Sequence, residues 1–259
     1  MNFCILRAPG TNCDGETARG LEELGCGAEV VHLKRLLDGR TDILGYSGLV
    51  IPGGFSYGDH IRSGAIVGRV LSHTLGKKLS RFVEDGRPVL GICNGFQVLA
   101  EAGLLPGFDG TSRFPEMALS KNASSHFEDR WVHLRAGESS CPFTKGMPPV
   151  LRMPVAHGEG RVVLPPGGLE RLEASGQVAL RYALGSGEPA MGRYPENPNG
   201  SIGDIAAIAN PEGNVLGLMP HPERAFHRIL YPDWTRTGGE GYGDGYLLLR
   251  NMVEYARRL

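Results

Sequence analysis

The sequence predicts an α/β fold, a mostly parallel central sheet covered by helices on both faces. Up to residue 102, short apolar runs of strand length alternate with stretches of helical spacing, and the runs end in glycine-rich turns. Hydrophobic residues make up 41% and charged residues 21% of the 259, which supplies a substantial core and excludes the charged, apolar-poor composition of a disordered chain. At this length one large domain spanning residues 1–259 is expected. With 39 glycines and 18 prolines, much of the chemistry belongs in turns and loops.

The elements follow in order. Phe3 to Leu6 reads as a buried strand, followed by a turn and a helix through Ala18, Leu21 and Leu24. Ala28 to Leu33 is a second strand, and Leu49 to Ile51 a third that stops at Pro52-Gly53-Gly54. Apolar positions three and four apart predict a helix from Ile66 to Val83, and Pro88 to Ile92 is a further buried strand. Beyond Gly103 the chain is richer in strand and loop, with Trp131 to Leu134, Val162 to Leu164, Val178 to Tyr182, Ile205 to Ala209 and Val215 to Met219 strand-like. A closing helix from Tyr246 to Arg258 carries Leu249, Met252, Val253 and Tyr255 near one stripe. Ligands of such sheets bind beyond the carboxyl ends of the strands, so the loops after Ile51 and Ile92 form the working edge.

Charge and cysteine content narrow the function classes. Twenty-seven Lys and Arg against 28 Asp and Glu give a net charge of -1, without the basic footprint of a nucleic-acid binder. No apolar run is long enough to span a membrane and no basic leader precedes Phe3, so a soluble, cytoplasmic protein is expected. Five widely spaced cysteines without a C-x-x-C pair suggest neither a disulfide framework nor a zinc site, and no metal ligands are assigned.

Three segments could carry chemistry. Gly91-Ile92-Cys93-Asn94-Gly95 lies between an apolar strand and the helical stretch Phe96 to Ala102. Glycines flanking a nucleophile permit the sharp strand-to-helix turn that exposes it above a helix N-terminus, where a thiolate is favoured. The competing reading is a small buried cysteine. Met219-Pro220-His221-Pro222-Glu223-Arg224 ends another apolar strand; Pro222 biases His221 toward extended backbone, which would put Glu223 on the same side as His221 to orient its ring. The competing reading is a surface turn. Pro52 to Asp59 could aim backbone N–H groups into a cavity, so that Gly54 and Asn94 would donate to an oxyanion. The competing readings are an ordinary glycine loop or a phosphate cradle, and the loop lacks both phosphate-binding glycine patterns. A thiol, an imidazole and an acid together are the parts for acyl transfer through a thioester.

With these pieces the sequence resembles the triad-type (class I) glutamine amidotransferases, and within them the branch of glutaminase components of phosphoribosylformylglycinamidine synthase. The likeness covers nearly the whole chain, through PGTNCDGE (9–16), IPGGFSYGDHIRSGAI (51–66), GICNGFQVL (91–99), NASSHFEDRW (122–131), MPVAHGEGR (153–161), YPENPNGS (194–201) and NPEGNVLGLMPHPER (210–224). The resemblance implies a flavodoxin-like three-layer sandwich in which Cys93 attacks glutamine, His221 moves protons with Glu223 behind it, and Gly54 and Asn94 hold the oxyanion. It further implies that Gln97, Asn122 and Phe127 bind L-glutamine, and that His157, Glu159 and Arg161 lie near substrate and partner. The ammonia would pass to a synthetase subunit that holds ATP and Mg²⁺ and converts formylglycinamide ribonucleotide to its amidine, with or without a small bridging subunit; this chain would hold no cofactor.

Two other classes stay open at this point: a noncatalytic binding or regulatory module, and another cysteine hydrolase on a related fold. Phe226 to Gly245 is longer than in compact bacterial glutaminase subunits and is similar to the glutaminase region of the large fused synthases, whereas the Met1 start argues for a separate subunit. Cys4, Cys13, Cys26 and Cys141 have no base beside them in sequence and are expected to be noncatalytic.

Overall fold

A computed structural model describes residues 1–259. The chain runs β1 (Asn2–Arg7), α1 (Asp14–Glu23), β2 (Gly27–His32), α2 (Leu33–Leu37), β3 (Gly48–Ile51), α3 (Ala65–Val70), α4 (Gly76–Glu84), β4 (Val89–Ile92) and α5 (Asn94–Glu101). It continues through β5 (Ala118–Lys121), β6 (Glu128–Ala136), β7 (Leu151–His157), β8 (Glu159–Val163), α6 (Gly168–Ala174), β9 (Val178–Ala183), β10 (Ile205–Ala209), β11 (Val215–Leu218), α7 (Trp234–Thr237) and α8 (Asp244–Ala256). Nine strands form one sheet in the order β2-β1-β3-β4-β11-β10-β9-β6-β7. The five strands from β2 to β11 run parallel, and the remaining four extend the sheet antiparallel. The strands β3, β4 and β11 are buried along their whole length, which is why they read as unbroken apolar runs. One continuous cluster of 65 buried apolar side chains joins both halves of the sheet. No helix is long and apolar enough to cross a membrane.

Several elements differ from the sequence reading, each for a local reason. The second strand stops at His32, whose side chain accepts a hydrogen bond from Lys34 N–H and caps α2 from Leu33 onward. The helix expected from Ile66 to Val83 is interrupted by a π-helical turn, Leu71–Leu75, between α3 and α4. β7 carries Pro154 in its middle, a residue that argues against a central strand; β7 is an edge strand, where a missing N–H is tolerated. β5 and β8 pair apart from the main sheet as a two-stranded ribbon.

Close approach at the β3–β4–α5 junction leaves no room for side chains. A Cβ on Gly95 would lie 1.8 Å from the Ile51 carbonyl oxygen, and one on Gly91 2.6 Å from that of Gly95. Gly95→Ala is therefore expected to cost about 3 kcal/mol or more of unfolding free energy. Gly76→Ala, in a helix with open space around that position, should be neutral or stabilising by up to about 1 kcal/mol. Urea denaturation of both variants checks this, and equal midpoints would contradict it.

Candidate active site

The site is assembled where β3, β4 and β11 end at the same sheet edge. Cys93 follows β4 directly and adopts φ 51°, ψ -104°, a left-handed conformation that costs a non-glycine residue strain. Its N–H donates to the Leu218 carbonyl at 2.7 Å, which ties the turn to β11. The thiol is 5% exposed and donates to the Ala156 carbonyl of β7 at 3.6 Å. Asn94 opens α5, so its N–H lies at the positive end of that helix without an intrahelical acceptor.

His221 stands three residues past β11, with its N–H donated to the Pro154 carbonyl at 2.8 Å. Its Nδ1 lies 2.6 Å from Glu223 Oε1, and both side chains are almost completely buried. His221 is extended as expected, with φ -103° and ψ 93°, but the pairing comes from the 3₁₀ turn Pro222–Ala225 that follows and brings Glu223 back to the ring. Burial alone would push the imidazole pKa down, but the charges of Glu223 and Cys93 outweigh it and hold His221 well above its ordinary value. Nε2 of His221 and Oε2 of Glu223 are buried without a hydrogen-bond partner.

The glycine loop after β3 is pressed against this pair, since a Cβ on Gly53 would lie 2.7 Å from His221 Cε1. The PGTNCD segment clamps the loop. Phe55 N–H donates to the Gly10 carbonyl, and the Asn12 and Cys13 N–H groups donate to the Gly53 carbonyl, at 2.9, 3.3 and 3.2 Å. Gly54 has φ 152°, its absent Cβ would sit 2.5 Å from the Gly10 oxygen, and its N–H finds no acceptor in the chain. The same segment buries Cys13 beside the histidine, with Sγ 3.9 Å from His221 Nδ1. Sequence adjacency could not reveal this, because the base comes from 208 residues further along the chain.

The three residues expected to bind glutamine are placed differently from one another. Gln97 lies one turn into α5 and is buried; its Oε1 accepts from Asn94 Nδ2 at 2.9 Å and its Nε2 donates to the Glu159 carbonyl. Asn122 has its polar atoms taken up within the chain: Nδ2 donates to the carbonyls of His126 and His157 at 2.9 and 2.7 Å, and Oδ1 faces His157 Nδ1 at 3.1 Å. Phe127 is half exposed and packs on Phe55, ring centroids 6.2 Å apart. In AHGEGR, Glu159 accepts from Ser63 N–H at 2.9 Å, Arg161 has a buried Nε without a partner, and His157 is buried with its Nε2 unpartnered. The YPENPNGS segment supports that stretch, with Asn199 Nδ2 donating to the Gly160 carbonyl at 2.9 Å and to the Tyr182 hydroxyl at 3.0 Å.

An elbow cysteine, a buried imidazole–carboxylate pair and a glycine loop with a free N–H, all at one edge of a parallel sheet, define a cysteine hydrolase of the three-layer α/β class. The chain belongs to the CobB/CobQ-like glutamine amidotransferase domain family, whose model matches residues 1–256. It is 45% identical to phosphoribosylformylglycinamidine synthase subunit PurQ of Archaeoglobus fulgidus, over 100% of this chain and 98% of that protein. Identity to subunit PurQ of Thermus thermophilus is also 45%, over 89% of this chain and 92% of the relative. Among solved structures it is similar to a chain of PurLQS from Thermotoga maritima, with 34% identity, TM-score 0.73 and 98% of each chain covered.

Burial pushes the His157 pKa down to about 3, with the neighbouring His221 charge acting in the same direction. Between that value and about 6.5 the unfolded chain binds a proton at His157 that the folded chain does not, so stability falls with decreasing pH by about 1.4 kcal/mol per unit. His221, whose folded pKa is raised, makes its full contribution below about 6.5 and loses it only as pH rises through the folded value, so it adds no slope in this window. His157→Gln should remove that slope, as checked by urea midpoints between about pH 4 and 6.5.

Proposed function

We propose that the chain is the single-domain glutaminase subunit of phosphoribosylformylglycinamidine synthase, a cytoplasmic enzyme of purine biosynthesis. It hydrolyses L-glutamine and supplies the ammonia to a synthetase subunit. The observation that carries the reading is the buried 2.6 Å His221–Glu223 pair beside Cys93 on its strained turn. The full-length likeness to the PurQ subunits supports the substrate and the pathway. The PurLQS relative supports an assembly with a synthetase partner and a small bridging subunit.

In this reading the Cys93 proton passes to His221, whose raised pKa favours the imidazolium, and the thiolate attacks the side-chain amide carbon of glutamine. The amide oxygen becomes an oxyanion, met by the N–H groups of Gly54 and Asn94. Imidazolium returns its proton to the nitrogen, the C–N bond breaks, and ammonia leaves a glutamyl thioester on Cys93. Water, deprotonated by His221, then attacks the thioester; glutamate departs and the thiol is restored. Glu223 holds the ring in the Nδ1–H tautomer and stabilises the imidazolium. Gln97 and Phe127 line the glutamine site, and Asn122 contributes by bracing His157 and the 122–127 loop. The chemistry uses no cofactor in this chain; ATP and Mg²⁺ belong to the synthetase partner, which converts formylglycinamide ribonucleotide to the amidine.

The test is glutamine- against ammonia-driven amidine formation in the assembled complex. Cys93→Ala should lower the glutamine-driven rate by about 10³-fold or more, and Glu223→Gln by between about 10² and 10⁴. Both should leave the ammonium-driven rate unchanged. Retained glutamine hydrolysis in clean Cys93→Ala protein would overturn the assignment.

A further inference from the structure

The thiol of Cys13 is a buried group that the reaction as described leaves unused, yet it touches the reaction's base. It is 1% exposed and immediately precedes α1. Its Sγ lies 3.9 Å from His221 Nδ1, donates to Asn12 Oδ1 at 3.1 Å, and accepts from Arg224 Nη2 at 3.3 Å. Arg224 is anchored on its far side by Glu16 Oε1, at 3.2 Å. Gly53 closes the remaining side: a Cβ there would meet Cys13 Sγ at 3.1 Å and His221 Cε1 at 2.7 Å. Sulfur, arginine and histidine are thus packed in a row along the Nδ1 edge of the ring, and the donor atoms of Cys13, His221 and Glu223 all lie within 4.8 Å of one another.

We propose that Cys13 is a positioning residue for the glutaminase reaction, an uncharged spacer that seats the Nδ1 edge of His221 on Glu223 and keeps the Arg224 guanidinium off that carboxylate. A small neutral side chain suits the position, because it carries no charge to draw the Nδ1 proton away from Glu223. Burial raises the Cys13 pKa against the lowering contacts of His221 and Arg224, so the spacer stays neutral at physiological pH. The inference rests on the glutaminase reading and extends it to a residue outside the triad.

The mechanism has a sign. His221 faces Glu223 and Arg224 from the 222–225 turn, Cys93 from the elbow, His157 from β7 and Cys13 from the start of α1. Of these, Glu223, Cys93 and Cys13 hold its pKa up. With Cys13 truncated, Arg224 draws part of the Glu223 charge, the imidazolium becomes more acidic, and the proton needed by the leaving ammonia is lost at lower pH.

The experiment measures pH profiles of glutamine hydrolysis by the complete complex. Cys13→Ala should lower kcat about tenfold with KM within about twofold, and move the alkaline limb of kcat/KM down by about one unit. Cys13→Ser, which restores a polar neutral spacer, should recover most of both, and Cys13→Ala combined with Arg224→Gln should bring the limb back up. An unchanged limb and kcat in Cys13→Ala overturn the inference, as does an equal loss in the Ala and Ser variants that follows their thermal stability. If the wild-type complex hydrolyses no glutamine, the glutaminase reading itself falls; an active wild type with an indifferent Cys13→Ala removes this inference alone.

Discussion

The structure is organised around keeping the His221–Glu223 pair out of water. Removing an imidazolium and a carboxylate from solvent is expensive, and the cost is offset only if the two are held at short range in a fixed geometry. Every layer contributes a wall. β11 delivers the turn, and the edge strand β7 fixes it through the Pro154 carbonyl. The start of α8 lies so close that a Cβ on Gly245 would sit 1.9 Å from the Pro222 carbonyl oxygen, while Gly53 and Cys13 close the opposite side. Gly53 is needed because the His221 ring leaves no volume for a Cβ, and Gly245 because the Pro222 backbone leaves none.

What could be read from the sequence follows from what is local in it. The parallel half of the sheet was legible because β1, β3, β4 and β11 are buried along their cores, and the elbow because both of its glycines lie within two residues of Cys93. His221 and Glu223 were legible as a pair, although the geometry that joins them is a 3₁₀ turn and not an extended strand. β7 was hidden by Pro154, and β5 by pairing with a ribbon partner separated from it by two intervening strands in sequence. Cys13 had no sequence signal at all for its place beside the histidine, since that contact is made by folding the first loop of the chain against one of its last turns.

Motifs that mark the family divide into chemistry and support once they are placed in space. GICNG and HPE bear the groups proposed to react. PGTNCD holds the glycine loop by four backbone hydrogen bonds, and YPENPNGS holds the AHGEGR stretch through Asn199 and Ser201. Ser201 Oγ accepts from Val162 N–H at 3.0 Å and donates to Asn199 Oδ1 at 2.6 Å, so two motif residues satisfy one another while fixing β8. In these segments Asn199 and Ser201 answer backbone groups that burial would otherwise leave unpaired.

The same standard makes the exceptions informative. His221 Nε2, Glu223 Oε2 and His157 Nε2 are buried polar atoms without partners, all close to Cys93 or to the charge of His221. An unpaired buried polar atom costs on the order of 1–3 kcal/mol, and a fold that satisfies Asn122, Asn197 and Asn199 so thoroughly has the means to avoid it. Of the seven such atoms in the chain, His221 Nε2 is the one that accepts a proton and gives it back in the proposed reaction. A lone pair on Nε2 already committed to a protein donor would have to break that bond before it could take the Cys93 proton. With no other protein donor on it, Nε2 can take the Cys93 proton directly, and the strained backbone of Cys93 is a cost in folding stability at the same place.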